Sequence, residues 1–157
     1  MARLFSEEWA QAAQARLSAG FTEQDKAGKL GDYWDWIAAA ASSFTGSLAL
    51  GALPSRGSKL ATGEFVSVDI TDGQVRAVRP VDAEQAEAAD YCLTGTYDAW
   101  QKFLAGYDPG KTIMYRLLNL EHGNMLGFFN RVYYWVELVA LLQQVPTEVL
   151  TPEVAAA

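Results

Sequence analysis

The sequence predicts an α+β domain, with helices gathered on one face of a mainly antiparallel sheet. Three observations carry this expectation. Phe5, Trp9, Ala12, Ala13 and Leu17 recur at helical spacing near the start of the chain. "EFVSVDITDGQVRAVRPV" then alternates Val66, Val68 and Ile70 with polar residues and returns after Asp72-Gly73, as an antiparallel hairpin does. From Ile113 to Leu142 the chain becomes overwhelmingly apolar, enough to cover most of a helix's circumference.

The elements follow in order. Ser6 suits the cap of a first helix, with Glu7 and Glu8 against its positive end and Gly20 as its stop. Thr22 or Asp25 caps a second helix that reaches about Ala41 and carries Leu30, Tyr33, Trp34, Trp36 and Ile37, weakened by Gly28 and Gly31. "FTGSLALGAL" reads as a strand and "LPSRGSK" as a loop. After the hairpin, Pro80 marks a strand end or a sheet edge. "DAEQAEAAD" is an acidic linker with one or two helical turns, and "YCLTG" is a fourth strand. "TYDAWQKFLAG" is a helix capped by Thr96 and stopped by Gly106, and Pro109 sits in the first turn of the next. "LLNLE" reads as a short fifth strand, and "GNMLGFFNRVYYWVELVALLQQV" as one long final helix. The domain is expected over 4–145, with a flexible C-terminal tail over 146–157.

Composition narrows the function. The 157 residues are 50% hydrophobic and 12% aromatic, enough for one domain with a real core. A net charge of −7 argues against a nucleic-acid partner, whose affinity comes from cations neutralising phosphates. It also disfavours adsorption to anionic lipid, so membrane contact is expected to be transient at most. The start of the chain has no apolar core of signal-peptide length. Asn130, Arg131 and Glu137 interrupt the longest apolar stretch, so it is no clean membrane span. The cytoplasm is the expected location.

Catalytic groups are scarce. The sole His122 and sole Cys92 make no metal spacing, and nothing in the sequence places them together for nucleophilic catalysis. His122 is expected in the turn before the last helix, and Cys92 as a buried strand thiol. "DPGKT" lacks the glycine spacing of a phosphate loop. Asp32 and Asp35 flank Tyr33-Trp34 as a polar rim. Glu137 stands alone among apolar residues in "VYYWVELVALL" and is expected on the wet side of its helix. An enzyme acting on an apolar substrate would need His122 or Glu137 to face a cavity as a base. No catalytic residue, metal or cofactor is therefore expected.

What remains is surplus apolar surface. Helices that are apolar around most of their circumference must be buried on several sides, line a cavity or pair with a partner. Most of these residues are core under any function.

The stretch "LTGTYDAWQKFLAGYDPGKTIMYRLLNLEHGNMLGFF" resembles the sterol carrier protein 2 family. The residues that carry the likeness are Asp98, Trp100, Leu104, Gly106, Asp108, Pro109, Leu118, Leu120, Gly123, Asn124 and Met125. The hairpin and the "FSEEWAQ" helix also occur in the family's order, so the likeness spans roughly residues 4 to 143. Three features depart from the family. The glycine that usually ends the second short helix is replaced near Tyr115-Arg116, the Trp34/Trp36 segment is longer, and the last helix is longer and more aromatic. The resemblance implies a five-stranded sheet with helices on one face, enclosing an apolar tunnel. It implies a non-enzymatic carrier of a lipid, fatty acyl or sterol-like molecule. On that reading Trp100, Phe103, Leu104, Met114, Met125, Phe128, Phe129 and Tyr133 line the hollow, with Trp34 and Trp36 near its mouth. The alternative is an interaction module whose apolar last helix forms a homodimer or partner interface.

Overall fold

A computed structural model describes residues 2–149 of the chain. After the two-residue strand β1 (Ala2–Arg3), helix α1 (Glu7–Ser18) starts at its expected cap, where Ser6 Oγ accepts from the Trp9 N–H at 3.2 Å. The single helix expected next is two: α2 (Glu23–Lys26), held by a Thr22–Asp25 capping box, and α3 (Gly31–Ser42). Gly28 lies between them at φ +86°, a left-handed value that stops one helix and turns the chain into the next.

Five strands form one sheet: β2 (Gly46–Leu53), β3 (Glu64–Thr71), β4 (Gln74–Val81), β5 (Tyr91–Thr96) and β6 (Asn119–His122). Their order is β4-β3-β2-β5-β6, and only β2 and β5 run parallel. Asp72 and Gly73 take φ of 49° and 76°, the mirror-image turn that matches hairpin twist. Pro80 falls on β4, an edge strand. Helix α1 guards that edge: Gln14 Oε1 accepts from the Val78 N–H at 3.0 Å, and Ser18 Oγ donates to the Val75 carbonyl at 3.1 Å.

The acidic linker forms α4 (Ala83–Ala88) and covers a small second face of the sheet, over Ala49, Leu53, Phe65 and Cys92. The main core lies on the other face, under α1 and the later helices α5 (Tyr97–Leu104), α6 (Pro109–Met114), α7 (Met125–Phe129) and α8 (Val132–Ala140). Thr96, Asp108 and Asn124 cap α5, α6 and α7 through their side-chain oxygens. The expected long last helix is broken between α7 and α8. Arg131 leaves helical geometry at φ −119°, ψ 25°, and its guanidinium reaches the Ala40 carbonyl at 3.0 Å and Ser43 Oγ at 2.9 Å. Trp135 closes the break by stacking on Phe128 at 5.6 Å and donating its indole N–H to the Phe128 carbonyl at 3.1 Å. These are tertiary contacts, which helical periodicity alone does not reveal.

Trp9, Trp100, Trp135, Phe103 and Phe128 are fully buried in the main core. The other two fully buried indoles also find acceptors, Trp9 on Thr147 Oγ1 and Trp100 on the Gly51 carbonyl, each at 2.8 Å. A last short strand, β7 (Thr147–Glu148), pairs parallel with β1. The rest of the expected 146–157 tail, from residue 150 on, lies outside the described residues.

Candidate functional site

Three helices leave a gap at one edge of the domain. Helix α3 brings Tyr33, with Lys29 in the turn before it. Helix α6 brings its cap Asp108, Pro109, Gly110 and Met114. Helix α8 brings Val132, Tyr133, Val136, Glu137 and Ala140. The α8 residues sit three and four apart, so they form one stripe along the helix. Together these side chains wall a cavity of about 460 Å³.

Glu137 corrects the expectation of a wet position, because it is 8% exposed. A buried carboxylate is costly unless it is paired. Here the Tyr33 hydroxyl donates to Oε1 at 2.8 Å, and the Lys29 ammonium meets the same oxygen. Lys29 Nζ also lies 5.0 Å from the Tyr33 ring centre and 5.8 Å from that of Trp34. Burial, then the hydrogen bond and charge of Glu137, push the Tyr33 phenol well above its ordinary value, so it stays a donor at neutral pH.

Glu137 and Ala140 also wall a larger polar groove of about 790 Å³, with Arg16, Thr22, Asp25 and Gln144. Burial opposes ionisation of Asp25. Hydrogen bonds from the Thr22 backbone, Gln144, Arg16 and the Thr22 side chain outweigh it and hold the carboxyl well below the usual range.

The ten residues expected to line one hollow are not gathered round one. Met114 and Tyr133 line the 460 Å³ cavity, and both are exposed at its rim. Met125, Phe128 and Phe129 border a separate 110 Å³ pocket with Leu93, Ile113 and Leu118. Trp34 is buried beside a third space of about 290 Å³, against Phe21 and Tyr134. Trp36 is half exposed, with its ring 5.5 Å from that of Tyr133. Trp100 and Phe103 belong to the solid core, and Leu104 packs on that core's edge.

Sequence reasoning missed Lys29, Tyr33, Val132 and Val136. A lone acid in an otherwise apolar helix was the available signal, and its partners lie 104 and 108 residues away. His122 ends β6, is exposed and stands opposite Cys92 in register. The Cys92 thiol is fully buried. Burial, then Glu121 and Glu87, push it up to about 12, which removes it as a nucleophile. Among the described residues no group of three His, Cys, Asp or Glu side chains is placed to hold a metal, and no helix is long and apolar enough to cross a membrane.

An α+β fold with a largely apolar cavity of this size is suited to holding an apolar molecule. The sequence matches no protein-family model and no curated protein. Several solved structures are similar, among them two sterol carrier protein-like folds. A crystal structure of sterol carrier protein 2 has a TM-score of 0.67 and 29% identity, covering 92% of this chain and 100% of its own. A conserved protein of Thermus thermophilus, described as a candidate sterol carrier protein, has a TM-score of 0.64 and 27% identity, covering 96% and 95%. The chain thus has a sterol carrier protein 2-like fold.

Proposed function

We propose that this domain binds and carries an apolar or amphiphilic small molecule, of lipid, fatty acyl or sterol-like character, without transforming it. The observation that carries this reading is the cavity between α3, α6 and α8. Its volume of about 460 Å³ suits a small-molecule site, and Met114, Val132, Tyr133 and Val136 supply apolar wall. Exposed Leu30, Trp36, Met114 and Tyr133 belong to the elements that frame it. Apolar surface left in water around a cavity is stabilised when an apolar guest covers it. The names of the two similar structures support the same class of ligand. Contact with a donor or acceptor membrane would be transient, given the net charge of −7.

Native mass spectrometry of the freshly purified protein, followed by organic extraction, tests the reading. A discrete added mass that extracts as a lipid or steroid is expected. A bare monomer that also takes up no fluorescent fatty acid or sterol would overturn the proposal. A bare dimer would transfer the apolar edge to a protein–protein interface.

A further inference from the structure

Another space of about 370 Å³ opens where α5, the turn after α6 and the loop following β2 meet, and it shares no wall residue with the apolar cavity. Its wall holds three cations, Arg56, Lys102 and Arg116, and no carboxylate. The chain carries 19 acids against 12 lysines and arginines, so such a wall runs against the composition. Among the described residues none of the three has an ion-pair partner, because the ion pairs there engage Arg3, Arg16, Lys29 and Arg79. Asp98, one turn before Lys102, forms no ion pair with it, and Asp108 caps α6 and borders the apolar cavity instead. Unpaired cations on a concave wall focus a positive potential into the space they enclose.

The fold holds this wall in place. Gln143 Nε2 donates to the carbonyls of Phe103 at 2.7 Å and Tyr107 at 2.8 Å, which fixes the turn after α5. Lys102 Nζ then lies 4.5 Å from the centre of the Tyr107 ring. Arg116 follows the cap of α6 at φ +61°, a left-handed position that glycine fills without steric cost. A long cationic side chain there is strained, and among the described residues it makes no ion pair or side-chain hydrogen bond that would offset the strain.

We propose that this pocket binds a small organic phosphate, a phosphate monoester carried on a flat ring. Arg56 and Arg116 supply planar forks for the phosphate oxygens, and Lys102 adds a point charge. The exposed Tyr115 ring, also in the wall, offers a face for the ring of the ligand. Three cations without an acid match a dianion better than a carboxylate, which brings one charge. A nucleic-acid polymer is disfavoured, because the net charge of −7 opposes a polyanion everywhere outside this one pocket. The site is independent of the carrier reading.

Calorimetric titration of the full-length protein in phosphate-free buffer with phenyl phosphate, phenyl sulfate and phenol varies the charge at constant ring. At neutral pH the monoester is largely a dianion. Phenyl phosphate should bind about tenfold more tightly than phenyl sulfate, and phenol more weakly still. Lys102→Gln and Arg116→Gln should each weaken phenyl phosphate by about tenfold, whereas Arg76→Gln, which removes an exposed cation on β4, should leave it unchanged. Sedimentation with phosphatidylcholine vesicles, with and without phosphatidic acid, separates the two sources of such a group. Binding that needs phosphatidic acid and is lost in Arg116→Gln supports the site and assigns it to a lipid head group, while binding of phenyl phosphate alone supports it for a soluble ester. Equal binding of phenyl phosphate and phenol overturns the proposal, as does an equal loss in Arg76→Gln and Arg116→Gln. Binding of neither phenyl phosphate nor the phosphatidic acid vesicles overturns it as well.

Discussion

The same kinds of side chain meet opposite fates on the two sides of the helical layer. Against the sheet, Trp9, Trp100, Trp135, Phe103 and Phe128 are fully buried, and each indole N–H has an acceptor. Along α3, α6 and the outer stripe of α8, Trp36, Met114 and Tyr133 are half exposed or more, around a cavity whose one buried charge is Glu137. The first region is a finished core, where packing density and satisfied polar groups stabilise the fold. The second region leaves apolar surface in water, which contributes less to stability and is available to a guest. On the proposed reading, stability and binding fall to different helix faces, and α8 contributes one stripe to each.

The strongest way to break this division is Trp100→Ala. It removes a fully buried ring and strands the Gly51 carbonyl, so urea denaturation should show a loss of about 3–5 kcal/mol. A loss below about 1 kcal/mol, together with altered ligand uptake, would place Trp100 on the binding side instead.

Asp25 lies at the polar seam between the two regions, joined to Arg16, Thr22 and Gln144. Its carboxyl is held below its ordinary value of 3.8, so the stability it contributes is present above that value and is lost as the pH falls below it. Asp25→Asn should cost about 2 kcal/mol at pH 7, and thermal melts of the two proteins should converge on acidification below about pH 4. A gap that persists unchanged in acid would show that the loss is not electrostatic.

Tyr133→Ser tests the open side. The ring is half exposed, so the melting temperature should move little, while affinity for a fluorescent fatty acid should fall about tenfold. A large stability loss with intact binding would reverse the assignment of that face.

The smallest effect is expected at Arg116, a non-glycine residue that follows α6 at φ +61°. A side chain in the left-handed region costs about 1–2 kcal/mol, and glycine loses part of that gain to chain entropy. Arg116→Gly should therefore stabilise the protein by about 0.5–1 kcal/mol in a denaturation series. Destabilisation instead would mean that the Arg116 side chain, which borders the 110 Å³ pocket, contributes more than its backbone strain costs.

The sequence by itself determined the features that act within a few residues: the Ser6 and Thr96 caps, Pro109 in the first turn of α6, the Asp72-Gly73 hairpin, the strand periods and the edge position of Pro80. The order of those elements was enough to bring the sterol carrier protein 2-like architecture into view. Only the tertiary structure decided how the apolar surplus was divided. Which rings faced the sheet and which faced the cavity depended on where α3, α6 and α8 came to rest. The break at Arg131 depended on Ala40 and Ser43, 91 and 88 residues away. A lone acid with no local partner cannot be buried cheaply, so the sequence alone places Glu137 in water. The partners that permit its burial, Tyr33 and Lys29, are brought to it by packing between helices, a contact that no local pattern around Glu137 encodes.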